Sequence, residues 1–149
     1  MFRGPSKVSV DAKGRMAIPT RYRELIAERC DNRLVATIDR DGCLVIYPYP
    51  DWQDIERKLA RLPSLNKTAK RLQRLMLGHA DEMTLDPQGR ININNELLAF
   101  AGIKKQAMLV GQVHKFELWD VETWAARRAT WLDEEDDGDD LPQLESLVL

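Results

Sequence analysis

The sequence predicts an α+β fold: a closed β body built from two tandem half-repeats, with helices at its periphery. Three observations predict it. The stretch "VSVDAKGRMAIP" at residues 8–19 is echoed by "MTLDPQGRININ" at 83–94, with Asp, Gly and Arg kept. Apolar residues on either side of each Asp-x-x-Gly alternate with polar ones, the period of a half-buried strand. Each copy then leads into the same succession of a short amphipathic stretch, two strand-like runs and a helix entered at an acid and a Trp. Two copies are too few for a solenoid. They suit one body whose closure hides the strand edges.

The elements follow in order. Val8 and Val10, then Met16 and Ile18, give the buried face of a first hairpin around Asp11-Ala12-Lys13-Gly14. Asp at the first turn position bonds the backbone ahead of it, and Gly at the fourth takes a positive φ. In the second copy Met83, Leu85, Ile91 and Ile93 flank Asp86-Pro87-Gln88-Gly89, where Pro pre-sets φ for the turn. The amphipathic stretches are Tyr22 to Ile26 and Glu96 to Phe100, the second capped by Asn94 or Asn95. Strands are expected at 33–37 and 44–47, joined at Asp41-Gly42, and at 107–111 and 115–119. Helices begin at Asp51-Trp52 and at Glu122-Thr123-Trp124. The copies are offset by 75 residues at the turn Asp (86 − 11) and 72 at the Trp (124 − 52), a difference of one short loop.

Between the halves, Pro63 stops the first helix and Ser64 caps another that ends at Gly78. Lys67, Lys70, Arg71 and Arg74 fall on one face of it, and Leu65, Ala69, Leu72 and Met76 on the other. That pattern reads as an amphipathic helix with a solvated basic face, or as one that tracks phosphates. The expected organisation is a first repeat over 1–62, a linking helix over 63–80, a second repeat over 81–132, and an acidic, disordered tail over 133–149.

Composition narrows the function. The net charge of −2 hides an asymmetry: the tail from Asp133 holds eight acids and no Lys or Arg, so residues 1–132 carry 22 basic against 16 acidic side chains. A basic body suits a polyanion, and an acidic tail can compete for the same surface. No apolar run is long enough for a membrane span and Met1 to Pro5 forms no signal core, so a cytoplasmic protein is expected. Cys30 and Cys43 fit no metal spacing, and a disulfide between them does not suit a reducing compartment. No cofactor, metal or small-molecule substrate is expected.

The hairpin tip carries the functional argument. Folding asks for Asp11 and Gly14 there, and equally for Asp86 and Gly89, but not for Lys13 or Arg15. Lys offers phosphate a point charge, while the planar Arg fork matches guanine O6 and N7 in a major groove wide enough for a β-ribbon. Arg3 and Lys7 add positive charge around the first tip. Gln88 and Arg90 are the second tip's counterparts. The plainer reading is that each Arg pairs with its own turn Asp and locks the loop.

"DAKGR" followed by "IP" and "YR", then "DPQGR", "LLAFAGI", "LVGQVHKFELWD" and Trp124, resembles in this order the MraZ family of bacterial transcriptional regulators. The match covers residues 1–132. The resemblance implies a swapped-hairpin, double-psi-like barrel of the AbrB type with both half-barrels in one chain. It also implies a ring-shaped homo-oligomer, nucleoid-associated, binding short direct repeats in double-stranded promoter DNA. The promoter implied is that of the division and cell-wall gene cluster, which includes the regulator's own gene. DNA contact then falls to Lys13 and Arg15, with Gly14 shaping the loop and Asp11 its turn. Gln88 in place of a second Lys weakens the other tip. Phe2, Phe100 and Trp131 are candidates for subunit contacts or ordinary core.

Two other readings are weighed. Paired Asp11 and Asp86 bring aspartic proteases to mind, but neither is followed by Thr or Ser and then Gly, and His79 and His114 have no nucleophile partner. An enzyme is not expected. A ring-forming adaptor that binds protein through the basic helix or the acidic tail is the remaining alternative.

Overall fold

The computed structural model describes residues 1–134 and 142–147. In chain order the first half runs β1 (Phe2–Ser9), β2 (Arg15–Ala17), α1 (Thr20–Cys30), β3 (Arg33–Ile38), β4 (Leu44–Pro48) and α2 (Tyr49–Ala60). A linking helix follows, α3 (Lys67–Leu72), continued by a π-helical turn at Gln73–Leu77. The second half repeats the series as β5 (Asp81–Thr84), β6 (Arg90–Asn92), α4 (Asn95–Phe100), β7 (Gln106–Val113), β8 (Phe116–Asp120) and α5 (Val121–Asp133). A single turn, α6 (Pro142–Glu145), stands in the tail. Of the acidic tail expected over 133–149, residues 135–141 and 148–149 lie outside the described residues.

The strand-pairing differs from a pair of self-contained hairpins. β1 does not zip onto β2; only Val10 and Met16 bridge across the first turn. Instead β1 pairs along its whole length with β7 of the other half, and β5 pairs with β3. The halves thus exchange their first strands. The reason is burial: each turn is flanked by apolar residues on both sides, and the partner half supplies the surface that covers them. The outcome is a six-stranded antiparallel sheet ordered β1-β7-β8-β4-β3-β5 and a separate two-stranded ribbon, β2-β6.

The pairing obeys a pseudo-twofold. With the 75-residue offset, Arg15 corresponds to Arg90 and Ala17 to Asn92. In the ribbon Arg15 faces Asn92, Ala17 faces Arg90, and Met16 faces Ile91, so the axis passes between Met16 and Ile91. β4 and β8 pair about Val45 and Glu117 in the same way. Two carbonyls complete the symmetry: Ile93 N–H donates to Gly14 and Ile18 N–H to Gly89, each at 2.9 Å.

Alternate strand residues face opposite sides of the sheet. Leu34, Ala36, Leu44, Ile46, Leu109, Phe116 and Leu118 point inward, against Met16, Ile18, Ile91 and Ile93 of the ribbon and against α1 and α4. Val35, Val45 and Tyr47 point outward and are covered by Trp52 and Leu59 of α2 and by Leu72, Met76 and Leu77 of the linking helix. On the equivalent outer surface of the second half, Trp119 meets Trp124 and Trp131 of α5 at 6.1 and 5.6 Å between ring centres. Each Trp near a helix start therefore roofs the outer face of its own half.

Several local expectations need correction. The linking helix is capped by Asn66, whose Oδ1 accepts the Ala69 N–H at 3.0 Å, not by Ser64. The Pro63–Asn66 turn, closed by Asn66 N–H to the Pro63 carbonyl, carries Ser64 and Leu65 outside the helix. Leu65 is accordingly 92% exposed and takes no part in the apolar face. Phe2 is not a surface contact: it is 1% exposed, stacked on Phe116 at 4.1 Å and set edge-on to Tyr22 at 5.6 Å. Phe100 and Trp131 are 44% and 43% exposed. Asn94, rather than Asn95, caps α4 by accepting the Leu97 N–H.

Candidate nucleic-acid interface

The first tip is built from one carboxylate. Asp11 Oδ1 accepts the N–H groups of Lys13 and Arg15, both at 2.9 Å, and Oδ2 accepts Arg15 Nε at 2.7 Å. The backbone closes around it, with Gly14 N–H to the Asp11 carbonyl and Asp11 N–H to the Arg15 carbonyl, each at 3.0 Å. Gly14 sits at φ +81°, and a Cβ there would strike the Ile93 carbonyl. The position therefore admits only glycine, for conformation and for space. These bonds, the Arg15 N–H first, hold the Asp11 carboxyl below its ordinary pKa.

This arrangement bears out the plainer reading, in which the Arg pairs with its own turn Asp. Arg15 is locked to its turn Asp through Nε only. Among the described residues its two terminal nitrogens donate to nothing, and the side chain is 38% exposed. The free edge of the guanidinium is the one with two parallel donors, the geometry that matches guanine O6 and N7. Asp11 thus orders a long side chain in advance and leaves its two-donor edge open. Lys13 lies exposed at the apex.

The second tip has the same frame with a different outcome. Asp86 Oδ1 accepts the N–H groups of Gln88 and Arg90, and Oδ2 accepts Arg90 Nε, all at 2.9 Å. Its carboxyl is lowered for the same reason, the Arg90 N–H foremost. Here, however, Arg90 Nη2 also donates to Gln88 Oε1 at 2.9 Å. The residue that replaces the lysine consumes part of the fork. Gly89, at φ +77°, has the Arg23 guanidinium laid against it.

Beside the first stem a groove of about 570 Å³ runs between β1 and the β2–α1 segment, with Lys7, Arg21 and Arg23 along it. Arg21 Nη2 donates to Ser6 Oγ at 2.6 Å and to Tyr22 Oη at 2.8 Å, while Arg23 Nε donates to the Ile18 carbonyl. The fold sets these two arginines along one wall. Arg3 is not brought to the tip. It pairs with Gln112 at the far end of β1, about 20 Å of extended strand from Ser9.

One cluster was invisible to spacing arguments. Asp39, Cys43 and Glu117 place their ligand atoms within 4.8 Å of one another, because β4 and β8 bring together residues 74 positions apart. Burial pushes the Cys43 thiol far up, so it stays protonated at neutral pH, and Glu117 Oε1 already accepts Trp119 Nε1.

An expected result follows from the carboxylate's role. Asp11→Asn keeps the Oδ1 acceptor but loses the charge that holds Arg15, so any anion the tip binds should be held about 2- to 10-fold more weakly, the order of one side chain left to be immobilised on binding. The pH dependence has the sign of a depressed acid. The contribution is full above the ordinary carboxylate value of about 4 and is lost as pH falls through the lower folded value. Amide resonances of Lys13 and Arg15 should stay in place from pH 8 to about 4 and shift only below it; a shift centred near pH 6 contradicts this.

Two copies of one strand–turn–strand–helix–strand–strand–helix unit, exchanging first strands about a pseudo-twofold and presenting cationic turns, define a class: a fused two-repeat α+β protein with paired Asp-x-x-Gly-Arg turns. The family model described as "MraZ protein, putative antitoxin-like" matches the chain twice, over residues 1–75 and 76–137. The chain belongs to the MraZ family. Its relatives include proteins named transcriptional regulator MraZ. That of Thioalkalivibrio sulfidiphilus is 50% identical over 150 residues, covering all of both chains. That of Alkalilimnicola ehrlichii is 53% identical over 135 residues and 90% of each chain. That of Coxiella burnetii is 52% identical over 152 residues and all of both chains. Among the described residues, no helix is long and apolar enough to cross a membrane.

Proposed function

We propose that this protein is a sequence-specific DNA-binding transcriptional regulator whose first hairpin tip reads promoter DNA. The single observation that carries the reading is the Arg15 guanidinium, fixed by Asp11 through one nitrogen and open along its two-donor edge. Lys13, Lys7 and Arg21 supply phosphate contacts around it, which set position without reading sequence. Arg90, its fork shared with Gln88, contributes less.

One tip offers few contacts, so affinity comes from repetition. In this reading the protein is a ring-shaped homo-oligomer whose tips meet short direct repeats, raising effective concentration without new contacts. Half-exposed Phe100 and Trp131 are the subunit contacts it favours. The strand exchange supports a swapped-hairpin barrel, with the β2-β6 ribbon closing the open side of the six-stranded sheet. The target is the promoter of the division and cell-wall gene cluster containing the protein's own gene, and the setting is the cytoplasm at the nucleoid. Membership of a family with relatives named transcriptional regulators supports this.

A gel-shift titration with the chain's own upstream DNA tests it. Binding should rise steeply with the number of direct boxes and fall as salt rises. Arg90→Ala should change affinity by less than about threefold, well below the effect of one full bidentate pair. Equal binding to DNA with and without boxes overturns the proposal in favour of an adaptor that binds protein.

A further inference from the structure

Six of the fourteen arginines, Arg15, Arg29, Arg33, Arg57, Arg90 and Arg127, face a carboxylate. On the linking helix four cations without such a partner among the described residues share one face: Lys67, Lys70, Arg71 and Arg74, all exposed. The helix is held firmly from behind. Thr37, fully buried, donates its hydroxyl to the Met76 carbonyl at 2.7 Å, and Gln73 Nε2 donates to the Leu59 carbonyl at 2.9 Å. The second bond ties the helix to the end of α2, where Lys58 and Arg61 are exposed.

We infer that this face is a second, sequence-independent surface for the phosphate backbone of double-stranded DNA, engaging a segment other than the one held by the tips. The inference rests on the DNA-binding reading above. From Lys67 to Arg74 the cations span about 10 Å, a length over which B-DNA presents about six phosphate charges. Nothing in the face reads a base: it is convex, helical and lacks the ordered fork of Arg15. Its place in the fold assigns it to separate DNA. The linking helix packs on Val35, Val45 and Tyr47 of the outer sheet face, whereas the β2-β6 ribbon packs on the inner face. Leu72, Met76 and Leu77 seat the helix on the outer cluster, with Leu75 reaching the inner one, whereas the ribbon's Met16 and Ile91 lie wholly in the inner cluster, so helix and tip are carried on different faces of the sheet. A protein so built holds its boxes with one side and gathers flanking or distant DNA with the other.

The test uses the full chain with Lys70→Ala, Arg71→Ala and Arg74→Ala combined, and a charge-keeping control with Lys70→Arg, Arg71→Lys and Arg74→Lys. Promoter DNA fixed to beads is loaded with protein and offered a labelled, unrelated duplex. Wild type and control should capture the second duplex. The neutral variant should lose at least about tenfold of that capture and lower the salt slope of non-specific binding by about two to three. It should bind a short duplex carrying only the boxes within twofold of wild type. Capture that survives neutralisation overturns the proposal, and reassigns the face to an acidic protein if binding to a poly-Glu peptide is lost instead. Loss on the short duplex in equal proportion also overturns it, because the helix then belongs to the tip surface. Arg15→Ala keeps the two readings apart: it should spoil box recognition yet retain the non-specific binding that the neutral helix variant loses.

Discussion

Arg15→Ala should abolish sequence-specific binding while leaving assembly size unchanged. One well-formed bidentate contact contributes about 1–3 kcal/mol of discrimination. Because several tips act on repeated boxes, the loss multiplies with each tip engaged. On a promoter duplex with two or more boxes the expected fall exceeds about 100-fold, two such contacts at the middle of that range. The fold should not suffer, since Asp11 still accepts the Lys13 and residue-15 N–H groups and Arg15 is 38% exposed. Mass measured in solution and thermal unfolding should match wild type. Normal binding by this variant means that the first tip is not the reading element.

Phe2→Ala should have the largest effect on stability. Its ring is 1% exposed and lies between Phe116 of the second half and Tyr22 of the first. Truncating a buried Phe costs about 3–5 kcal/mol through lost burial and the cavity left behind. That is a large share of a typical domain's net stability. The manner of unfolding is as telling as the size. β1 carries Phe2 and is paired wholly with β7 of the other half. The halves therefore cannot melt independently. A single cooperative transition, shifted to lower denaturant with an unchanged slope, is expected. Two separate transitions contradict the strand exchange.

Phe2 was open from sequence between core and subunit contact, and its burial against Phe116 and Tyr22 settles it as core. Its partner strand was not legible: only pairing with Val113 places it in the other half's sheet. The turns were legible because their chemistry is local: Asp at the first position and Gly at the fourth dictate the loop wherever the strands go. Strand partners were not, since period-two patterning gives the buried face of a strand and not the half of the molecule that covers it. Ser64 and Asn66 are both good caps, and the choice turned on a Pro63 turn that sequence alone does not close. At the site, the two tips and the Gln88-for-Lys difference between them were legible from the motif. The bond by which Gln88 shares the Arg90 fork was not, because it depends on how the two side chains lie over the turn. Nor was the alignment of Arg21 and Arg23 along the groove, which depends on how β1 lies against the start of α1.

The most direct test of a tip that reads base edges is methylation interference on the chain's own upstream DNA. Guanines methylated at N7 in the major groove should block wild-type binding at positions inside the repeated boxes. With Arg15→Ala, at concentrations that force binding, those positions should lose their effect. If N7 methylation within the boxes leaves wild-type binding untouched, the guanidinium at position 15 does not meet guanine in the major groove, and the account of the tip is wrong.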